Sequence, residues 1–351
     1  MARRFSVGGV LMRRIGVAVV GCGFIAETAH IPNLLSIPKA KLVALCDINE
    51  DRLKQMGAKF GVSKLYSDLE ALAENREVDA TIVCTPTSAH AEAAKVLING
   101  GKHVFVEKPL ANSLELAKPV VEAAEKRKVK LMVGYQMRYL PNHRKVREIV
   151  QGGGIGEPFY AEAHSETLII KPDEGILIDY ATHLINILLW HFDNTSVERV
   201  GGLLHTTGDK YTTETEATLA LRFANGVIGR IGAFWLSNYR SWQATDRYVK
   251  ILGSRGKVVT DLNGPTITLY REGSLMSRVR GPHRIMPRFA LNPYVPFTDL
   301  AYRREVEHFL DCILKDRNPS TSGREDLVTL RIVEAAKQSF RSGEFVEVSN
   351  V

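Results

Sequence analysis

Between residues 173 and 193 the chain reads DEGILIDYATHLINILLWHFD, an apolar helical stretch that nevertheless holds Asp179, His183 and Asn186. Asp179 and His183 are spaced i, i+4 and Asn186 follows at i+7, so one helical face presents a carboxylate, an imidazole and an amide. An imidazole takes up and releases protons near neutral pH, and a carboxylate on the same face favours its charged form and steadies the ring. Together they are equipment for general acid–base chemistry. The competing account is a buried histidine satisfied locally by the aspartate. A second candidate is Lys108, within Glu107-Lys108-Pro109 at the close of the strand-like run KHVFVEKP (102–109). A lysine at the C-terminal end of a parallel strand points into the crevice where open α/β sheets bind ligands. The plainer account is a lysine that begins a loop.

The element that would bring a ligand to Lys108 is legible upstream. RIGVAVVGCG (14–23) is short, β-branched and ends in glycine, and an amphipathic stretch, AETAHIPNLLS, follows. GCGFIA (21–26) therefore lies between a strand and a helix, the context in which a G-x-G-x-x-A sequence binds a dinucleotide. Gly21 permits the tight turn, Gly23 lets backbone approach a pyrophosphate, and Ala26 is small enough for close packing of helix on strand. Phe24 and Ile25 complete the loop, and the helix N-terminus offers unpaired N–H groups to the phosphates. Asp47 closes the next apolar run, KLVALCDIN (41–49), at about the twenty-residue distance expected of a carboxylate that accepts from ribose hydroxyls and repels a 2′-phosphate. NAD is the expected cofactor, with NADP left open by the nearby Arg52, whose bland reading is a solvated helix residue. Asp47 also has a bland reading, as a cap of the next helix. Beside such a cofactor a proton-exchanging histidine has a task, because a hydride leaves a carbinol carbon only as the hydroxyl proton is taken up.

The elements alternate through the first half. Strand-like runs at 14–23, 41–49, SKLY, DATIVCTP (79–86), 102–109 and KLMVGYQ (130–136) are separated by amphipathic stretches, among them EDRLKQMGAKFG, SDLEALAEN capped by Ser67, and SAHAEAAKVLING. Near-continuous apolar strands between helices imply a parallel sheet covered on both faces. TPTSAH (85–90) and GYQMR (134–138) add polar groups at neighbouring strand ends. After a helix near 141–151 and the break GGGIG (152–156), strands dominate, several joined through Ala224-Asn225-Gly226 and Ser254-Arg255-Gly256, so antiparallel pairing is expected. One face of that sheet should pack on helices and the other stay open to substrate or another subunit. The expected organisation is a dinucleotide-binding domain over 12–137 and a substrate-binding and oligomerisation domain over 138–351. Helices at about 300–340 are free to return to the first domain. Residues 1–11 read as a disordered lead-in, with Met12 an alternative start.

Composition narrows the class. The chain has 351 residues, 45% hydrophobic and 24% charged, as in a soluble protein of about two domains. Its net charge of +7 comes from basic residues scattered among acids, as in YRREVEHF, which reads as a solvated surface and not as a nucleic-acid footprint. Cys22, Cys46, Cys84 and Cys312 form no CxxC and look like buried thiols of a reducing compartment. Arg3-Arg4-Phe5 faintly resembles an export signal, but Arg13-Arg14 interrupts its apolar stretch. No run approaches a membrane span, and a cytoplasmic location is expected.

GCGFIA, CDIN, TPTSAH, EKP, GYQMRY, DEGILIDYATHLIN, ILGSRG and the closing EFVEV together resemble the Gfo/Idh/MocA oxidoreductases, from about Ile15 to the end. The resemblance implies a Rossmann doubly wound domain followed by an α/β domain with a large, mostly antiparallel open sheet, and often a homodimer or homotetramer through that sheet. It implies an NAD-dependent dehydrogenase of a sugar, sugar derivative or cyclitol. Lys108 matches the lysine that touches nicotinamide ribose and substrate hydroxyl. Thr85, Pro86, His90, Glu107 and Gln136 match cofactor-lining positions, Gln136 standing where many relatives have asparagine. Asp179 and His183 match the acid–base positions. Arg138 matches a substrate-side arginine by motif position, with a surface salt bridge as its bland alternative. Asn186 departs, since many relatives carry a second aspartate there; an amide still bonds a sugar hydroxyl but adds no charge, which removes support for metal binding. His164, Glu166, Lys171 and Tyr239 lie in segments able to line the pocket, and Lys171, Arg240 and Arg247 suit an anionic substrate. Two other classes share the family: glycoside hydrolases that retain NAD, and silent regulators, which typically lack the lysine and histidine.

Overall fold

The structure is a computed structural model that describes residues 4–7, 10–168, 171–208, 211–236, 245–271, 283–285 and 297–351. Where a disordered lead-in was expected, Arg4–Val7 (β1) pairs antiparallel with Val10–Arg13 (β2). Two apolar-containing runs separated by the dipeptide Gly8-Gly9 are a hairpin signal in the sequence. The chain divides into two compact units, residues Met1–Tyr135 with Tyr302–Leu327, and residues Gln136–Ala301 with Val328–Val351.

In the first unit, Ile15–Val20 (β3), Ala40–Cys46 (β4), Lys64–Tyr66 (β5), Ala80–Val83 (β6), His103–Glu107 (β7) and Leu131–Gly134 (β8) form a wholly parallel sheet in the order β5-β4-β3-β6-β7-β8. Every residue of β3 and β6 is buried, which is why these runs show no polar alternation. The order reverses between β3 and β6, so the ends of those two strands flank the crevice where such sheets bind ligands. Helices Glu50–Phe60, Leu69–Glu74, Thr87–Asn99 and Leu114–Arg127 connect the strands. Asn49 caps the first of them, accepting from Arg52 N–H at 3.0 Å. The cap of Leu69–Glu74 is Asp68, not Ser67: its carboxylate accepts from Ala71 N–H at 2.8 Å, three residues on. Burial holds all four cysteines as free thiols, with Cys22 and Cys46 each pushed up to about 12.

The second unit is built on nine strands: Pro158–Thr167 (β9), Val197–His205 (β10), Glu216–Phe223 (β11), Ile228–Trp235 (β12), Arg247–Gly253 (β13), Gly256–Asp261 (β14), Ile267–Arg271 (β15), His283–Ile285 (β16) and Val346–Glu347 (β17). Their order is β16-β15-β14-β13-β9-β12-β11-β10-β17, antiparallel except for the parallel pair β9 and β12. Ala224-Asn225-Gly226 and Ser254-Arg255 turn the chain between adjacent strands as expected, with Gly226 at a φ of +83° that favours glycine. Burial alternates along β11, so one face is covered and one open. Helix Pro141–Gln151 is pinned to the covered side by Asn142, which donates to Thr260 Oγ1 at 2.9 Å, and by His143, 2.8 Å from the Leu262 carbonyl. No helix among the described residues is long and apolar enough to cross a membrane.

Candidate active site

The glycine loop follows β3. Gly21 has a φ of +84°, and a Cβ there would stand 2.7 Å from the backbone of Cys84 and Thr85, so no other residue fits. Gly23 is the opposite case, since a Cβ built on it meets nothing within 4 Å. That clearance is what a pyrophosphate approaching the backbone needs. Phe24 is 79% exposed, Ile25 is half-buried and Ala26 is buried at the start of a π-type turn, Ala26–His30, that leads into helix Ile31–Ser36. At the end of β6 the Thr85 hydroxyl is buried with no partner, a polar atom left for a group from outside the chain. Pro86 beside it is exposed. The loop therefore fits a dinucleotide.

Asp47 is tied to that loop. One of its carboxylate oxygens accepts from Cys22 N–H at 2.6 Å and the other from Asn49 N–H at 2.8 Å. Arg52 is not the solvated residue its position allowed: Nε donates to the Cys22 carbonyl at 2.8 Å, and the guanidinium pairs with Glu27. Glu27 also holds Lys59 at 2.6 Å, and the hydrogen bonds from Lys59 and Arg52 keep its carboxyl below the usual range.

At the end of β7, the Lys108–Pro109 peptide is cis and Lys108 is 8% exposed. His90 clamps two strand ends together, one ring nitrogen 2.8 Å from the Thr85 carbonyl and the other 2.7 Å from the Pro109 carbonyl. Glu107 turns inward, its Oε1 lying 2.5 Å from Nε2 of the wholly buried His30. The loop after Lys108 is held by Asp326, which accepts from Leu110 N–H at 3.0 Å and from the Tyr135 hydroxyl at 2.6 Å. Burial pushes the Asp326 carboxyl up to about 6.

In the second unit, Asp179 sits in another π-type turn, Leu177–Ala181, and His183 in the first turn of the helix Thr182–His191 that continues it. With either helical period, four residues return to within about 40° of the same face, so the sequence spacing still places both side chains together on the helix surface. Both are buried, Asp179 at 4% and His183 at 6% exposure. The Asp179 carboxylate pairs with Lys171 Nζ at 3.1 Å, and Lys171 also reaches Glu174 at 3.4 Å. Burial opposes the charge on Lys171, but Asp179 and Glu174 outweigh it and hold the amine above its usual range. The Tyr180 ring lies 5.5 Å from that of His183, and its hydroxyl meets Arg247. His164 is within 3.4 Å of Glu166 and stacks on Tyr248 on the open face of the sheet. Tyr239 and Arg240 lie outside the described residues.

Asn186 and Arg138 face each other. Arg138 Nε donates to Asn186 Oδ1 at 2.6 Å, and the Asn186 amide donates to Thr329 Oγ1 at 3.3 Å. Both are buried, so Arg138 is not the surface residue its alternative reading required, and the Asn186 amide is engaged inside its own unit. Gln136 opens the short helical turn Gln136–Tyr139 and is half-buried.

Two carboxyl groups had no place in the sequence reading. Glu305 lies in YRREVEHF, read there as solvated surface, yet it is 0% exposed, as is Asp326. Ala301, Glu305, Phe309 and Cys312 recur at helical spacing and are all buried, as are Asp326, Leu330 and Val333. The stripe is visible in the sequence, but the charged letters on it read there as its solvated side.

Two family descriptions match the chain: an oxidoreductase family with an NAD-binding Rossmann fold over residues 15–135, and the GFO/IDH/MocA C-terminal domain over residues 143–259. A myo-inositol 2-dehydrogenase from Thermotoga maritima is 30% identical over 347 residues, which is 95% of this chain and 99% of its own length. A scyllo-inositol 2-dehydrogenase (NAD(+)) from Bacillus subtilis is 28% identical, over 95% of this chain and 96% of its own. Among solved structures, a probable dehydrogenase from Thermotoga maritima has a TM-score of 0.80 at 28% identity, covering 96% of this chain and 100% of that one.

Proposed function

The chain belongs to the GFO/IDH/MocA oxidoreductase family and is an NAD(P)-dependent dehydrogenase of CH–OH groups, and from that premise we propose that its substrate is a sugar, sugar derivative or cyclitol. Lys108 polarises the reacting oxygen, and His183, steadied by Asp179, exchanges its proton. A bound nicotinamide would supply the hydride chemistry. Gly21, Gly23, Phe24, Ile25 and Ala26 receive the pyrophosphate, Asp47 the adenosine ribose, and Thr85, Pro86, His90, Glu107 and Gln136 line the rest. The relatives named as inositol dehydrogenases support a polyhydroxylated substrate.

One observation carries the acid–base assignment. A carboxylate and an imidazole are buried four residues apart where a π-type turn, a feature that recurs at functional sites, runs into a largely apolar helix, and a third ionisable group, Lys171, reaches the carboxylate from outside that helix. Lys171 enlarges the pair. By compensating the charge of Asp179 at 3.1 Å it leaves the aspartate to orient and not to trap a proton, and its partly exposed ammonium is available to substrate oxygens. Arg138 and Asn186 act on the substrate only through the walls they hold. The open face of the sheet is the proposed assembly surface of a homodimer or homotetramer, supported by Leu203 and Ile228, exposed at 72% and 58%.

The test is NADH absorbance with a panel of inositols, sugars and sugar acids, run on wild type and Lys108→Ala. Activity on a polyol that the variant lacks while still binding NAD is expected. A panel that gives no NADH, together with a variant indistinguishable in cofactor binding, overturns the proposal.

A further inference from the structure

Behind Lys108 lies a closed set of three ionisable side chains, His30, Glu107 and Glu305, whose nitrogen and oxygen atoms all lie within 4.8 Å of one another. Glu107 is engaged, with His30 at 2.5 Å and the Lys108 N–H at 3.3 Å. Glu305 is not: it is 0% exposed and neither carboxyl oxygen has a hydrogen-bond partner. A buried ionised carboxylate without a donor is too costly to persist, so something must neutralise it. A metal ion would be bound through groups about 3.4 Å apart, the separation of two tetrahedral ligands each 2.0–2.2 Å from zinc. His30 and Glu107 are 2.5 Å apart, which suits a shared proton and not a shared ion.

We propose that Glu305 is a positioning residue of the dehydrogenase, a neutral carboxylic acid that keeps the Glu107 carboxylate ionised and bonded to His30 directly behind Lys108. Among the described residues, aromatic, thiol and basic groups face this set. His30 is edge-on to Phe105 at 5.4 Å and to Tyr302 at 5.6 Å, and Cys84 stands near both carboxyls. His90 and Lys108 act on Glu107 as positive charges, and His308, one turn along from Glu305, is occupied by Ser320 and Cys312. Burial and the charge of Glu107 hold the Glu305 carboxyl well above the usual range. Burial opposes ionisation of Glu107 too, but His30, Lys108 and His90 prevail and keep it below the usual range. One acid proton thus suffices for two carboxyls. If Glu305 ionised, two negative charges would share a buried space, and the proton between His30 and Glu107 would have to move. The Lys108 loop would then lose its fixed neighbour.

The inference uses the dehydrogenase reading for its kinetic arm only, because its first readout is thermal stability in the absence of substrate. The sign follows from the raised carboxyl. Unfolded Glu305 releases its proton at ordinary acidic pH while folded Glu305 keeps it, so the stability this group supports is complete below about pH 4.3 and declines as pH rises. Tm of the full chain, with and without NAD, is compared for wild type, E305Q and E305A from pH 5 to pH 9. The gap between E305Q and wild type is expected to widen in favour of E305Q as pH rises. A flat gap means an ionised Glu305 and overturns the inference. In the kinetic arm, run with whichever polyol of the panel reduces NAD, E305A is expected to lose kcat at least tenfold. E305Q should restore most of that loss and move the alkaline fall of kcat upward. An E305Q protein that is folded and binds NAD but is as slow as E305A would mean that the proton itself must be transferred, which also overturns a positioning role. Zinc chloride or manganese chloride that raises Tm of wild type and not of E305Q would replace the proton with an ion and overturn it as well.

Discussion

Arg138→Met separates a substrate contact from a structural one. The guanidinium is 3% exposed and donates to Asn186 Oδ1 at 2.6 Å, while Asn186 itself is 1% exposed. Methionine keeps the apolar stem and removes the donor, leaving a buried carbonyl oxygen without this bond. Such a loss costs about 2–3 kcal/mol, the upper part of the range for a hydrogen bond from a charged group. At about 2–4 °C per kcal/mol for a unit of this size, Tm should fall by about 4–12 °C. Asn186→Leu alone should destabilise too, because it removes the acceptor of the buried Arg138 Nε. The double variant should recover part of the sum, with a coupling of about 1.5–3 kcal/mol in a double-mutant cycle read by urea unfolding. NADH absorbance on the same proteins supplies the contrast. If R138M melts within 2 °C of wild type, shows no coupling to Asn186, and raises KM for the polyol tenfold, the side chain serves the substrate and the structural account fails.

Three further outcomes follow from the same geometry. Asp47→Ser removes the carboxylate bonded to Cys22 and Asn49 N–H and leaves Arg52 in place; the ratio of kcat/KM for NAD over NADP should fall at least tenfold, and an unchanged ratio would remove Asp47 from cofactor choice. Ile228→Glu places a charge beside Arg222 and Arg230 on the open face; light scattering should show a smaller species than wild type, and identical masses would refute assembly through this face. Buried His143 and His191 lie 3.2 Å apart. Burial lowers His143 to about 4 and holds His191 well below its ordinary value, the latter helped by His143 and by nearby Arg147 and Arg138. Each is a base depressed on folding, so its stabilising effect is complete above about pH 6.5 and lost as pH falls, about 3 kcal/mol for His143. His143→Gln should therefore flatten the fall of Tm between pH 6.5 and pH 4, and a slope equal to that of wild type would refute the assignment.

What could be read from the letters, and what could not, divides along a physical line. The strands of the parallel sheet were legible because burial on both faces leaves runs such as Ile15–Val20 without polar interruption. The glycine loop was legible because Gly21 answers a backbone requirement that glycine alone meets, a left-handed turn against neighbouring backbone, while Gly23 leaves a cleared approach. Asp179 and His183 stood out because charge is rare in an apolar helix. The same rarity argument fails for Glu305 and Asp326, whose helices carry many charges, so a buried carboxyl there looks like any solvated one. Asn186 fails for another reason: its partner, Arg138, is 48 residues away, and no local pattern tells an amide held by a distant arginine from one that awaits a sugar. Local requirements of backbone and periodicity are written position by position, whereas hydrogen-bond partners are chosen by the tertiary fold. The chemistry of this enzyme lies on both sides of that line. Lys108 announces itself by its place after a strand, but the groups that fix its loop, Asp326 at Leu110 and His30 at Glu107, come from 216 and 77 residues away in the chain. A variant library confined to the conspicuous motifs would leave that support untouched.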